Sequence, residues 1–139
     1  MFFEFKIIRN KTTIKIMDSK QMLFPKLSLL LNILVLIPVC SIILLKSNLV
    51  IDSYGIETPA LGILLSIYLT ILIFSVVFLF KFDQKFVMAL LLVQVVYKVL
   101  SPIMVGTLTN PVIICNLFIA VFHSYSIWKL ASSKGIFYP

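Results

Sequence analysis

The chain has 139 residues, of which 61% are hydrophobic and 12% charged. Soluble domains carry about 45–50% apolar and about 25% charged residues, so a soluble fold is excluded. The formal charge of +7 does not point to nucleic acid, because its sources are Lys residues at the ends of apolar runs and a basic N-terminal stretch.

A bilayer core of about 30 Å is crossed by about 20 helical residues. Four runs of that length are present: 27–45, 61–80, 86–105 and 111–130. The expected fold is an all-α membrane protein, with four transmembrane helices in an antiparallel bundle over 27–130. Residues 1–26 form a basic N-terminal segment and 131–139 a short tail. Six of the twelve basic residues precede the first run; Lys81 and Lys85 flank the connection between runs two and three; Lys129 and Lys134 follow run four. Only Lys46 falls on the other side, and Lys98 is inside a run. By the positive-inside rule both termini are cytoplasmic, and a bacterial inner membrane suits the Ile-, Leu-, Lys- and Phe-rich composition.

In chain order, residues 1–26 mix Phe2, Phe3, Phe5, Ile7 and Ile8 with Lys6, Arg9, Lys11, Lys15 and Lys20. Such a segment can rest on anionic headgroups at about 1 kcal/mol per basic residue. Its periodicity is poor for a helix, and Thr12 to Ile16 suggests an extended piece. A start of translation at Met17 or Met22 is the plainer alternative. Run one is too long for a signal-peptide core. Pro38, in its middle, removes a backbone donor and is expected to kink the helix. Asn32 lies one to two turns in from the cytoplasmic end, where it can bond across a helix interface or lean towards headgroups.

The connection 46–60 holds Asp52, Tyr54, Gly55 and Glu57 and reads as a polar connector. Run two carries Gly62, Ser66 and Thr70 four apart, which places three small residues on one face. Small-xxx-small faces let helix backbones approach closely in lipid. Run four has a comparable seam in Asn116, Ala120 and Ser124. These faces are expected to pack on each other or on a common neighbour. Phe82-Asp83-Gln84 forms a tight turn, and Trp128 with Lys129 forms an interfacial anchor.

The last hairpin, Phe86 to Leu130, holds the polar residues. Gln94, Tyr97 and Lys98 stand at i, i+3 and i+4 and share a face; Asn116 and His123, seven apart, share another. Counting outwards from the turn 106–110 puts Lys98 level with Asn116, Gln94 level with His123, and Tyr68 of run two near the first layer. A central Lys costs about 2.5 to 3.5 kcal/mol on insertion, but the apolar residues around it return roughly 4 to 7 kcal/mol, so run three still inserts. Lys98 lies roughly 10 Å below the nearer boundary. It either snorkels or faces the bundle and binds an anionic or carbonyl group, with Asn116 and Tyr97 as co-donors. Intramembrane ionisable residues are functional-site candidates. For His123 the expected partner is Gln94 or a neighbour of Ser124 across the seam.

Cys40 and Cys115 are too few for a disulfide framework or a zinc site. No carboxylate lies in any run, no second His exists for a bis-His haem, and no Ser-His-acid set or phosphate loop is present. No cofactor or metal is expected. The favoured reading is a non-enzymatic accessory or interaction protein, working in the lipid bilayer as a homo-oligomer or within a larger membrane complex. One alternative is a small transporter or channel subunit. The size and topology resemble the small multidrug exporters, which place a carboxylate in the first span where this chain has only Asn32. The other alternative is a quinone- or lipid-binding subunit using His123 and Lys98.

Overall fold

Backbone amides in a bilayer core must be satisfied within the protein, and a helix does this inside one segment. The computed structural model describes the backbone of residues 2–55 and 58–133, with side chains at 22–48, 50, 51, 53–55 and 58–132. Its elements are all helical: α1 (Phe2–Leu44), α2 (Asn48–Tyr54), α3 (Pro59–Phe80), α4 (Gln84–Val105) and α5 (Pro111–Ser133). Four stretches are long and apolar enough to cross a membrane: Met22–Leu44, Pro59–Phe80, Gln84–Val105 and Pro111–Ser132.

The boundaries follow from local chemistry. Pro59 opens α3 at a position where its missing N–H costs nothing. Asp83 caps α4, its carboxylate accepting from the amides of Lys85 at 2.8 Å and Phe86 at 3.4 Å. Gly106 ends α4 in the left-handed region, φ 73° and ψ 18°, which glycine enters without steric cost. Asn110 then accepts from the amide of Val112 at 2.8 Å, just before Pro111 starts α5. Its carboxamide also donates to the carbonyl of Ser53 at 3.0 Å, tying the 106–110 turn to α2. At the opposite end Gln84 donates to the carbonyl of Leu130 at 3.1 Å, and Lys26 lies 5.7 Å over the Phe82 ring. Tyr125, Trp128 and Lys129 form an aromatic–cation cluster on the same side, with Phe24 edge-on to Tyr125.

One local expectation is corrected. Thr12 to Ile16 is helical, part of a 43-residue α1 that runs through Pro25 and Pro38. Nucleation is the costly step of helix formation and extension is cheap, so the apolar half propagates a helix into the poorly patterned half. Within the connection 46–60, α2 occupies seven residues, Asn48–Tyr54. The contacts expected of the basic side chains before Met22, of Asp52 and Glu57, and of the tail from residue 134 lie outside the described residues.

α1 packs against α3 and α5, and α4 packs mainly against α5; the α3–α4 contact is slight. The bundle is therefore two helix pairs, α1/α3 and α4/α5, joined along α1/α5. Inward positions recur every three or four residues: Pro25, Ser28, Leu29, Asn32, Leu36, Cys40 and Ile43 on α1, and Ile113, Asn116, Ala120, His123, Ser126 and Leu130 on α5. Leu36, Cys40, Ile43, Val50, Tyr68 and Ile71 form one apolar cluster; Leu29, Val87, Leu91 and Leu130 form the other. Outward positions are apolar, among them Leu34, Ile63, Ile73, Val93, Ile103 and Phe118. Apolar outside with polar residues inside is the distribution that lipid imposes.

The seam expected on run two faces away from this core. Gly62, Ser66 and Thr70 are exposed, and the face of α3 that meets the bundle carries Tyr68, Ile71 and Ser75. Both α3 and α5 do pack on the common neighbour α1. On α5, Ala120 is buried and Ser124 exposed. The small hydroxyls satisfy themselves: Ser66 donates to the carbonyl of Gly62, Thr70 to Ser66 and Ser124 to Ala120, at 2.8 to 3.0 Å. They need no partner helix, whereas Ser75 does.

Two glycines give a matched test. A Cβ at Gly106 or Gly62 meets nothing within 4 Å, but only Gly106 has positive φ. Gly106→Ala is expected to destabilise the bundle by roughly 1 to 2 kcal/mol through the left-handed backbone alone. Gly62→Ala is expected to change stability by less than about 1 kcal/mol, in the stabilising direction. Unfolding in mild detergent measures both, and equal effects would refute the assignment.

Candidate functional site

Among the described residues, eight polar or charged side chains are buried: Ser28, Asn32, Ser75, Gln94, Lys98, Asn116, His123 and Ser126. Helix periodicity brings them inward and the two joined helix pairs set their partners. They fall into three groups along the bundle.

The first group closes the end near Lys26 and Phe82. The Ser28 and Ser126 hydroxyls are 2.7 Å apart, and Ser126 also reaches the Phe24 carbonyl at 3.1 Å. These bonds join α1 to α5.

The second group centres on Asn32, 3% exposed. Its Nδ2 donates to Ser75 Oγ at 3.1 Å and its Oδ1 lies 3.0 Å from His123 Nε2. A carboxamide oxygen only accepts, so His123 Nε2 carries a proton. One side chain of α1 thus bridges α3 and α5. Of the two partners expected for His123, Gln94 is not the one; the hydrogen bond crosses to Asn32 on the neighbouring helix α1. The physical reason is that α5 packs on α1 as well as on α4, which brings an α1 carboxamide to the imidazole. Gln94 Nε2 and His123 Nδ1 are buried without a hydrogen-bond partner among the described residues. They are a donor and an acceptor on adjacent helices.

The third group lies towards α2. Lys98 is 4% exposed, so its ammonium does not leave the bundle. Nζ donates to Asn116 Oδ1 at 2.7 Å and stands 5.0 Å over the Tyr97 ring, a cation–π distance. The Tyr97 hydroxyl is buried and has no partner among the described residues. Lys98 and Asn116 line a cavity of about 200 Å³ with Tyr54 and Tyr68. A second cavity of about 490 Å³ shares Tyr54, Tyr68, Val112 and Asn116 with it and adds Tyr97, Ser101 and Asn110. The two together form a recess beneath α2 lined by Ile, Leu and Val and by polar groups that are tyrosine and serine hydroxyls, amides and one ammonium. The Tyr54 phenol lies outside the spans; burial first and then the neighbouring Tyr68 push it well above the ordinary tyrosine range, so it stays neutral.

Of the five residues singled out from the sequence, Lys98, Asn116 and Tyr97 come together; His123 joins Asn32 and Ser75; Gln94 is buried at 1% exposure with its amide nitrogen unpaired. Sequence reasoning missed Ser75, Ser28 and Ser126 as members of the polar interior; of its two readings of Asn32, the bond across a helix interface is the one found. The available signal was the i, i+4 pair Ser28–Asn32 and the i, i+3 pair His123–Ser126, each on one helix face. Cys40 packs in the core and Cys115 is exposed, both as free thiols. Among the described residues no three His, Cys, Asp or Glu lie close enough to hold a metal ion. The chemistry on offer is hydrogen bonding and charge, with no activated nucleophile.

No protein-family model, curated protein or solved structure matches the chain.

The bridge can be measured by a double-mutant cycle of Asn32→Leu and His123→Leu. Interhelical hydrogen bonds in membranes are worth about 0.6 kcal/mol on average and about 1.7 at most. The coupling is expected in that range, and a cycle of Gln94→Leu with His123→Leu is expected to give a smaller value. Unfolding in detergent reads both, and the reverse order would contradict the bridge.

Proposed function

We propose that the protein is a multi-pass membrane protein of a bacterial inner membrane that catalyses no reaction and acts by helix contacts, as an accessory protein of a homo-oligomer or a larger membrane complex. In this reading the four spans alternate in direction and both termini are cytoplasmic. The observation that carries it is the open side between α3 and α4. Those consecutive helices barely touch, and Ser66 and Thr70 line the groove between them, with Phe74, Phe78, Val93 and Tyr97. Gly62 continues the same stripe. A stripe of small residues with self-satisfied hydroxyls suits close approach of another transmembrane helix, and in lipid such packing, not water exclusion, drives association. The occupant that fits best is a helix from a second copy of the chain. Lys26, Lys81, Lys85 and Lys129 near one end, against Lys46 near the other, support the orientation.

A second reading, a small transporter or channel subunit, is favoured by one observation: the Asn32 bridge and the Lys98–Asn116 pair put polar groups at two depths of one bundle. Four spans are few to enclose a path, so this reading also calls for assembly.

Native mass measurement in lipid nanodiscs or mild detergent tests the first reading. A dimer or higher oligomer is expected, and Ser66→Leu with Thr70→Leu is expected to shift it to monomer without unfolding the bundle. A strict monomer with no bound partner would sink it. A reporter fused after Pro139 is expected to read as cytoplasmic, and a periplasmic signal would overturn the orientation.

A further inference from the structure

Among the described residues, no carboxylate pairs with the ammonium of Lys98 in the recess beneath α2. The five acidic residues are Glu4, Asp18, Asp52, Glu57 and Asp83, and none lies in a membrane span. Lys98 nevertheless sits at 4% exposure with a neutral carboxamide as its hydrogen-bond acceptor. An ammonium has three donors and no acceptor capacity, and a charge held in low dielectric is costly unless it is paired. Lys side chains near a membrane boundary ordinarily snorkel, and this one is held inward by Asn116 and by the Tyr97 ring.

The surroundings match a ligand better than a structural filler. Lys98 and Asn116 both face the cavity of about 200 Å³, which adjoins the one of about 490 Å³. Ligand pockets of this size are lined mainly by apolar residues with a few convergent polar groups. Tyr97 lines the larger cavity, and its buried hydroxyl has no partner among the described residues. The Asn116 carboxamide offers its Nδ2 once Oδ1 is engaged by Lys98. The site therefore has a cation, two further donors and an apolar wall of Ile51, Leu64, Val105 and Ile113.

We propose that this recess binds an amphiphilic monoanion, its charged oxygen head on Lys98, Asn116 and Tyr97 and its apolar body against the wall beneath α2. One ammonium balances one negative charge, which excludes multiply charged ligands from the buried position. The head can be a carboxylate or a phosphate-type oxyanion; the shared chemistry is a singly charged oxygen anion on an apolar body. The inference uses the polar interior of the second reading above but not transport. A protein that binds without moving its ligand across vesicles removes the transport reading and leaves this site intact.

The test uses the full chain in nanodiscs of neutral lipid and three fluorinated probes with one body: 4-(trifluoromethyl)benzoate, the corresponding benzamide and the corresponding monomethyl phosphonate, followed by fluorine NMR against empty nanodiscs. The wild-type protein is expected to bind the anions saturably and about ten-fold or more tighter than the amide, the usual advantage of a hydrogen bond to a charged group. Preference for benzoate assigns a carboxylate ligand, and preference for the phosphonate assigns a phosphate-type head. Lys98→Met is expected to abolish the preference for anions, and Tyr97→Phe to weaken anion binding by about three-fold or more. If the Lys98 variant does not fold, the ratio of anion to amide in the wild type and the Tyr97→Phe series still decide. Equal affinity for benzoate and benzamide, or an unchanged benzoate affinity in folded Lys98→Met, would overturn the proposal.

Discussion

The arrangement of the bundle depends on one side chain, Asn32, and on the cost of leaving its amide unmatched in lipid. Between transmembrane helices apolar faces gain little by meeting each other, because lipid tails are as apolar as the side chains they replace. What selects the inward face is the need to satisfy polar groups. On α1 that group is Asn32, which turns the Ser28–Asn32–Leu36–Cys40 face inward and calls for an acceptor on one side and a donor on the other. Ser75 of α3 and His123 of α5 supply them. The apolar clusters above and below then fill the space that the bridge defines.

That same logic separates the two kinds of polar residue in this chain. Ser66, Thr70 and Ser124 fold their hydroxyls back onto the preceding turn and can face lipid. Asn32, Gln94, Asn116, His123 and Lys98 are too long or too polar for that and are found inside. Small polar residues are therefore poor reporters of the interior of this bundle, and carboxamides, imidazole and ammonium are good ones.

This explains how far the sequence could be read. The four spans follow from hydrophobic run length, and the pairing of Lys98 with Asn116 from equal distance to the Gly106 turn, because two adjacent helices and a short connection leave little freedom. The partner of His123 was not legible in this way. It lies on α1, ninety-one positions away, and nothing local states which non-adjacent helix will pack on α5. The Thr12 to Ile16 stretch was misread for the opposite reason: its own periodicity is weak, and its helix is inherited from the residues that follow. Tyr54 resembled an ordinary interfacial tyrosine until α2 folded it over the recess.

The division into α1/α3 and α4/α5 has a consequence for synthesis. Spans emerge from the ribosome in chain order, so α1 enters the bilayer with Asn32 unmatched. The next span brings Ser75, which quiets one side of the carboxamide and makes the first pair a natural resting intermediate. The oxygen of Asn32 remains open until the last span arrives with His123, and α4 has little to hold it to α3 in the meantime. The final hairpin must therefore be inserted whole before it docks. A nascent chain stopped before residue 123 would hold a half-built membrane domain whose exposed amide is a ready ligand for a membrane chaperone.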